Sequence, residues 1–156
     1  MSQFRFEKER VSATLTLASG TSINGSFFVA AHTSIHQARE RVGDLLNAQA
    51  GFFPFELHDG STVLFNRMHL VTVALDSGPS EAEQDPGYPG ATQRHVGMLL
   101  STGTRVKGVV AMYSAPGHDR LSDYTREPLS FHYLVTQKHT LIINAAHIVE
   151  LTELTD

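Results

Sequence analysis

The chain writes one pattern twice. Residues 15–30, LTLASGTSINGSFFVA, align with residues 98–113, MLLSTGTRVKGVVAMY. Gly20, Thr21, Ile23 and Gly25 fall on Gly103, Thr104, Val106 and Gly108, each 83 positions later. RVGDLL (41–46) falls on RLSDYT (120–125), so Arg41 and Asp44 meet Arg120 and Asp123, and FFPFEL (52–57) corresponds loosely to LSFHYL (129–134). Finally NRMHLVTV (66–73) returns as NAAHIVEL (144–151), placing Asn66, His69 and Val71 on Asn144, His147 and Val149, 78 positions later. Four anchors in one order predict an internal duplication, with the drift from 83 to 78 absorbed by loops. Between the copies lies DSGPSEAEQDPGYPGATQ (76–93), with three prolines, three glycines, four acids and no base. It reads as a flexible acidic linker between units at 1–75 and 94–156.

Each unit reads as β. Val11, Ala13, Leu15 and Leu17 alternate, as do Val96, Met98 and Leu100, and period two marks a strand with one buried face. A Gly turn (SGT, TGT) leads to a second alternating strand, Ile23/Phe27/Val29 and Val106/Val110/Met112, so each unit opens on a hairpin. Gly25 and Gly108 lie inside the returning strand, where glycine marks a bend or a close backbone approach. Ile35, Ala38, Val42, Leu45 and Leu46 follow helical spacing behind Ser34, predicting a helix over 35–49; its counterpart holds only a turn or two. Further strands follow at Phe53/Phe55/Leu57, Val63/Phe65 and Val71/Val73/Leu75. In the second unit they are Phe131/Tyr133/Val135, Leu141/Ile143 and Val149/Leu151. The expected fold class is mostly β with a short helix per repeat, built as two tandem, small, strongly bent β-barrels.

At 156 residues, two such units are each marginal alone and gain by packing together. The net charge of -4 offers no broad cationic field for nucleic acid or anionic lipid, so no DNA or membrane partner is expected. The absence of cysteine excludes a thiol nucleophile, a disulfide scaffold and a Cys-type zinc site. MSQFRFEKER has no apolar signal core, and the expected location is the cytoplasm. P-loop, dinucleotide, nucleophile-elbow and HExxH motifs are all missing, so no enzyme is expected. A His-dependent or metal-dependent enzyme is the distant alternative. His32 and His36 have the i,i+4 spacing of two ligands, but Ser34 between them reads as a helix cap and no third ligand is indicated. No cofactor is expected.

LASGTSINGSF and LSTGTRVKGVV, with FNRMHLVTV and INAAHIVEL, resemble the two motifs of the Sm-like superfamily, Hfq included. The first motif is a strand, a Gly turn and a bent returning strand; the second is a short turn between the last two strands. The resemblance covers nearly all of both units. It implies small barrels that form rings and bind RNA, with a ligand site carried over to Asn66, His69, Asn144 and His147. The residues themselves also admit a purely structural duty, since Asn and His shape tight turns. Arg41 with Asp44 and Arg120 with Asp123 read either as an anion-binding or partner-binding face or as structural ion pairs. FFPF (52–55) puts Phe53 and Phe55 at core parity and Phe52 at the surface, as core, as partner contact or as a stacking platform for bases. The expected function is therefore a non-enzymatic binding or assembly module that self-associates or takes a protein partner. RNA binding is the alternative.

Overall fold

A computed structural model describes residues 7–31, 39–76, 81–113 and 120–155. The first half contains strands β1 (Lys8–Leu17) and β2 (Ser22–Ala30), helix α1 (Val42–Asn47), and strands β3 (Phe52–Leu57), β4 (Thr62–Asn66) and β5 (Leu70–Leu75). The second contains β6 (Thr92–Leu100), β7 (Arg105–Met112), α2 (Leu121–Tyr124), β8 (Phe131–Val135), β9 (Thr140–Asn144) and β10 (Ile148–Glu153). All the strand pairs are antiparallel. They form one sheet in the order β10-β6-β7-β8-β9-β5-β1-β2-β3-β4. Within each half the last strand lies beside the first, and the order then runs second, third, fourth. The halves are joined where β5 pairs with β9.

This corrects the expectation of two separate barrels. The ten strands make a single continuous sheet that is not closed, and its edges are β10 and β4. The reason lies in the ladder: β5 already pairs with β1 on one side, and its other row of peptide groups is satisfied by β9 rather than by its own half.

The alternating apolar positions of the opening hairpins are buried as their pattern requires. Ala13, Leu15, Phe27 and Val29 lie in a first core, and Val96, Met98, Val110 and Met112 in a second. Gly20 and Gly103 both have φ +89°, which turns the hairpins without strain. Gly25 and Gly108 are glycines for a different reason. A Cβ on Gly25 would overlap the Glu56 carbonyl, and one on Gly108 would lie 2.6 Å from that of Val135, so only glycine lets β3 and β8 approach.

Two local expectations change. The helix is shorter than 35–49: Arg41 is still extended, α1 starts at Val42, and Gly43 lies inside it because the Tyr133 phenol occupies the place of a Cβ. Ser34, Ile35, Ala38, His32 and His36 lie outside the described residues, as does His118. Second, β3 pairs Phe52 with Asn66 while β8 pairs Phe131 with Asn144. The counterpart of FFPFEL is therefore FHYLVT (131–136), two residues later than the sequence alignment places it. Leu134, not Tyr133, then faces the second core.

Within 76–93, read from sequence as a linker, Glu81 and Ala82 are buried and 3₁₀ turns form at Glu81–Gln84 and Tyr88–Gly90. No helix among the described residues is long and apolar enough to cross a membrane, which leaves membrane-crossing strands untested.

Candidate functional site

The junction of the halves is a seam with three kinds of contact. The ladder sets Thr72 opposite Ile143, Val73 opposite Ile142 and Ala74 opposite Leu141. Side chains also cross it: Phe131 and Ile142 belong to the first core, and Val71 to the second. Val71 crosses because it is a bulge. Thr16 pairs with Thr72 and Leu17 with Leu70, leaving Val71 unopposed and turned away from its own core. Polar groups close the ends. The Asn144 amide nitrogen donates to the carbonyls of Arg67 (3.3 Å) and Leu70 (2.9 Å). Asn47 brackets Phe131, donating to its carbonyl at 3.0 Å and accepting from its amide at 2.9 Å. His147 Nε2 lies 2.8 Å from the Met68 carbonyl and Nδ1 2.7 Å from the Ser101 hydroxyl. A carbonyl only accepts, so Nε2 carries the hydrogen, and in the neutral ring Nδ1 accepts from Ser101.

A strap adds to this seam. The buried Glu81 carboxylate accepts from the single backbone amide of Val42 on both its oxygens (2.9 and 3.0 Å), from the Tyr133 hydroxyl (2.8 Å) and from Arg39 (2.8 Å). It thereby satisfies the start of α1, which has no side-chain cap of its own, and ties it to β8 in the other half. Burial, with the Glu81 charge beside it, holds the Tyr133 phenol proton on well above the usual tyrosine range. Arg67 performs the matching task at the other end of α1, donating to the carbonyls of Leu45, Leu46 and Phe52 at 3.0, 3.0 and 2.7 Å. Its burial pulls its pKa down from the ordinary arginine value.

The outer edges present the same positions without a neighbour. By place in the strand order, Leu64 of β4 corresponds to Ile142 of β9, Phe52 of β3 to Phe131 of β8, and Val149 of β10 to Val71 of β5. Ile142, Phe131 and Val71 are 1%, 4% and 0% exposed, whereas Leu64, Phe52 and Val149 are 63%, 58% and 65% exposed. Val149 is also a bulge, left unopposed between Ile148 paired with Leu100 and Glu150 paired with Leu99.

Of the four turn residues, Asn144 and His147 reach across the seam to the backbone of the turn Arg67–His69, whereas Asn66 sits at the end of the edge strand β4 and bonds within its own turn. In each turn the Asn oxygen accepts from the amide two residues on, Met68 or Ala146, at 3.0 Å. Arg41 forms a two-pronged pair with Asp44, both bonds 2.9 Å, and its guanidinium lies 5.7 Å from the Tyr133 ring centre, so it too borders the seam. Arg120 and Asp123 sit apart on α2, where Asp123 accepts from the Arg120 amide at 3.1 Å. Sequence reasoning missed Glu81, Arg67, Tyr133 and Phe131. Glu81 looked like one more acid of a polar linker, and only the chain's return across α1 gives it a role. Among the described residues no group of three or more His, Asp or Glu converges as a metal site. Comparison of the chain with protein-family models, curated proteins and solved structures gave no match.

Proposed function

We propose that the chain is a non-enzymatic assembly module, a tandem duplication of an Sm-like unit, that joins copies of itself head to tail through β4 and β10. One observation carries the reading: positions buried where β5 meets β9 are large, apolar and exposed at the two outer edges. An unpaired edge bearing apolar side chains is a template for strand addition. β4, TVLFN, has no charge, Pro or bulge to blunt it. Transferring the inner register outward sets Leu151 opposite Leu64, Glu150 opposite Phe65 and Thr152 opposite Val63. It also turns the Asn66 amide toward the Ala145 and Ile148 carbonyls of the next copy. Because β4 and β10 are different surfaces, the contact is heterologous and propagates into a ring or a filament.

The test is the particle mass. Light scattering or native mass spectrometry is expected to give multiples of 17.1 kDa, and Leu64→Asp or Val149→Asp is expected to return single chains. A strict monomer at every concentration tried would overturn the reading. RNA binding through the N-x-x-H turns is the alternative that the resemblance offers. It competes with the seam for the Asn144 amide, which is fully engaged, and a salt-sensitive gel shift with U-rich or A-rich oligonucleotides is its test.

A further inference from the structure

The inner seam is a knob in a socket. Phe131 of β8 is the knob. Its socket is drawn from the first-half core that it joins, which includes Leu45 and Leu46 of α1, Phe53 of β3 and Leu70 of β5, and Asn47 holds the knob by its backbone. Carried to the second half by strand pairing and by the position of α2, those socket positions are Tyr124, Thr125, His132 and Ile148. Those four residues line one cavity of about 280 Å³, together with Ala145 and Val149 beside the outer edge β10. The knob position recurs as well, because the counterpart of Phe131 is Phe52, also a phenylalanine and exposed on the opposite outer edge.

We propose that this cavity is the seat of Phe52 from a second copy of the chain. The proposal rests on the head-to-tail reading above and names where its specificity lies. Two features favour a second copy as the occupant. The cavity continues an interface already built once within the chain, with the same side chain as knob. In addition, the position of Arg67, whose guanidinium donates to the carbonyls of Leu45, Leu46 and Phe52 in the first half, is held here by the small side chain of Ala145, which lines the cavity. The Tyr124 and His132 rings, in contact with each other at 5.0 Å between centres, form one wall of the cavity, against which the Phe52 ring packs.

The chain has no cysteine, so single thiols can be placed cleanly. Phe52→Cys and Thr125→Cys proteins, mixed in equal amounts and treated with a short bis-maleimide, are expected to give a covalent heterodimer at least tenfold more efficiently than either alone. Leu64→Cys mixed with Glu150→Cys reports on the strand edges in the same way. Phe52→Ala, a change at an exposed position, is expected to keep the circular dichroism spectrum while weakening association at least tenfold. If the edge pair cross-links and the 52/125 pair does not, or if Phe52→Ala associates normally, the seat is wrong and the head-to-tail reading stands. If neither pair cross-links and the particle mass is that of one chain, both fall.

Discussion

The inner seam and the outer edges are the same place in the fold under two conditions. At the seam, Val71, Phe131 and Ile142 are packed, Asn144 and His147 reach across, and Glu81 straps α1 to β8. At the edges, Val149, Phe52 and Leu64 stand in solvent. The difference teaches that side chains in this chain are chosen for a neighbour as much as for their own half. An isolated half would leave Phe131 and Ile142 exposed, as Phe52 and Leu64 are. Most of the polar contacts at the seam go to backbone, so they fix register rather than add much net stability.

The largest effect separates Ile142→Asp from Leu64→Asp. The first puts an unpaired carboxylate into the first core and is expected to cost more than about 4 kcal/mol, enough to prevent folding. The second is expected to change the stability of a single chain by less than about 1 kcal/mol. Urea unfolding of the two variants reads the contrast, and equal losses would break the comparison.

Removing the strap comes next. Glu81→Ala leaves the Val42 amide, the Tyr133 hydroxyl and Arg39 without their acceptor, and about 3 kcal/mol of destabilisation is expected. Measured by thermal or chemical unfolding, a loss under 1 kcal/mol would mean that the strap is incidental. Asn144→Ala is expected to cost about 2 kcal/mol, since the carbonyls of Leu70 and Arg67 each lose a donor, the latter keeping the Leu70 amide, and the turn bond to Ala146 is lost, whereas Asn66→Ala forfeits only its turn bond, about 0.5–1 kcal/mol. The gap is expected to narrow in the assembled particle, where Asn66 gains the partners Asn144 already has.

The smallest contrast concerns the helices. α1 borrows Glu81 to satisfy its first amides, while α2 uses its own Asp123 on the Arg120 amide. Asp123→Ala is therefore expected to cost about 1 kcal/mol as a lost cap. Asp44→Ala, which removes only an i,i+3 pair with Arg41, is expected to cost roughly 0.3 kcal/mol. Reversal of that order in paired melting curves would remove the assigned difference between the helices.

The sequence by itself determined the strands, the hairpins and the bending glycines. Each is a local property: period-two burial at Ala13 and Leu15 or Met98 and Leu100, and close approach at Gly25 and Gly108, are written within a few neighbouring residues. It also singled out Asn66, His69, Asn144 and His147, because a repeated turn is visible as text. Phe52 was legible as an exposed phenylalanine, though not as the counterpart of Phe131. Only the tertiary structure decided what those residues face. Which core receives Phe131, Val71 or Ile142, whether Glu81 is solvated or buried, and where the sheet ends depend on β5 taking β9 as its second partner. That pairing joins residues about 70 positions apart. It is chosen by the packing of two halves against each other, for which no local pattern in the chain is a record.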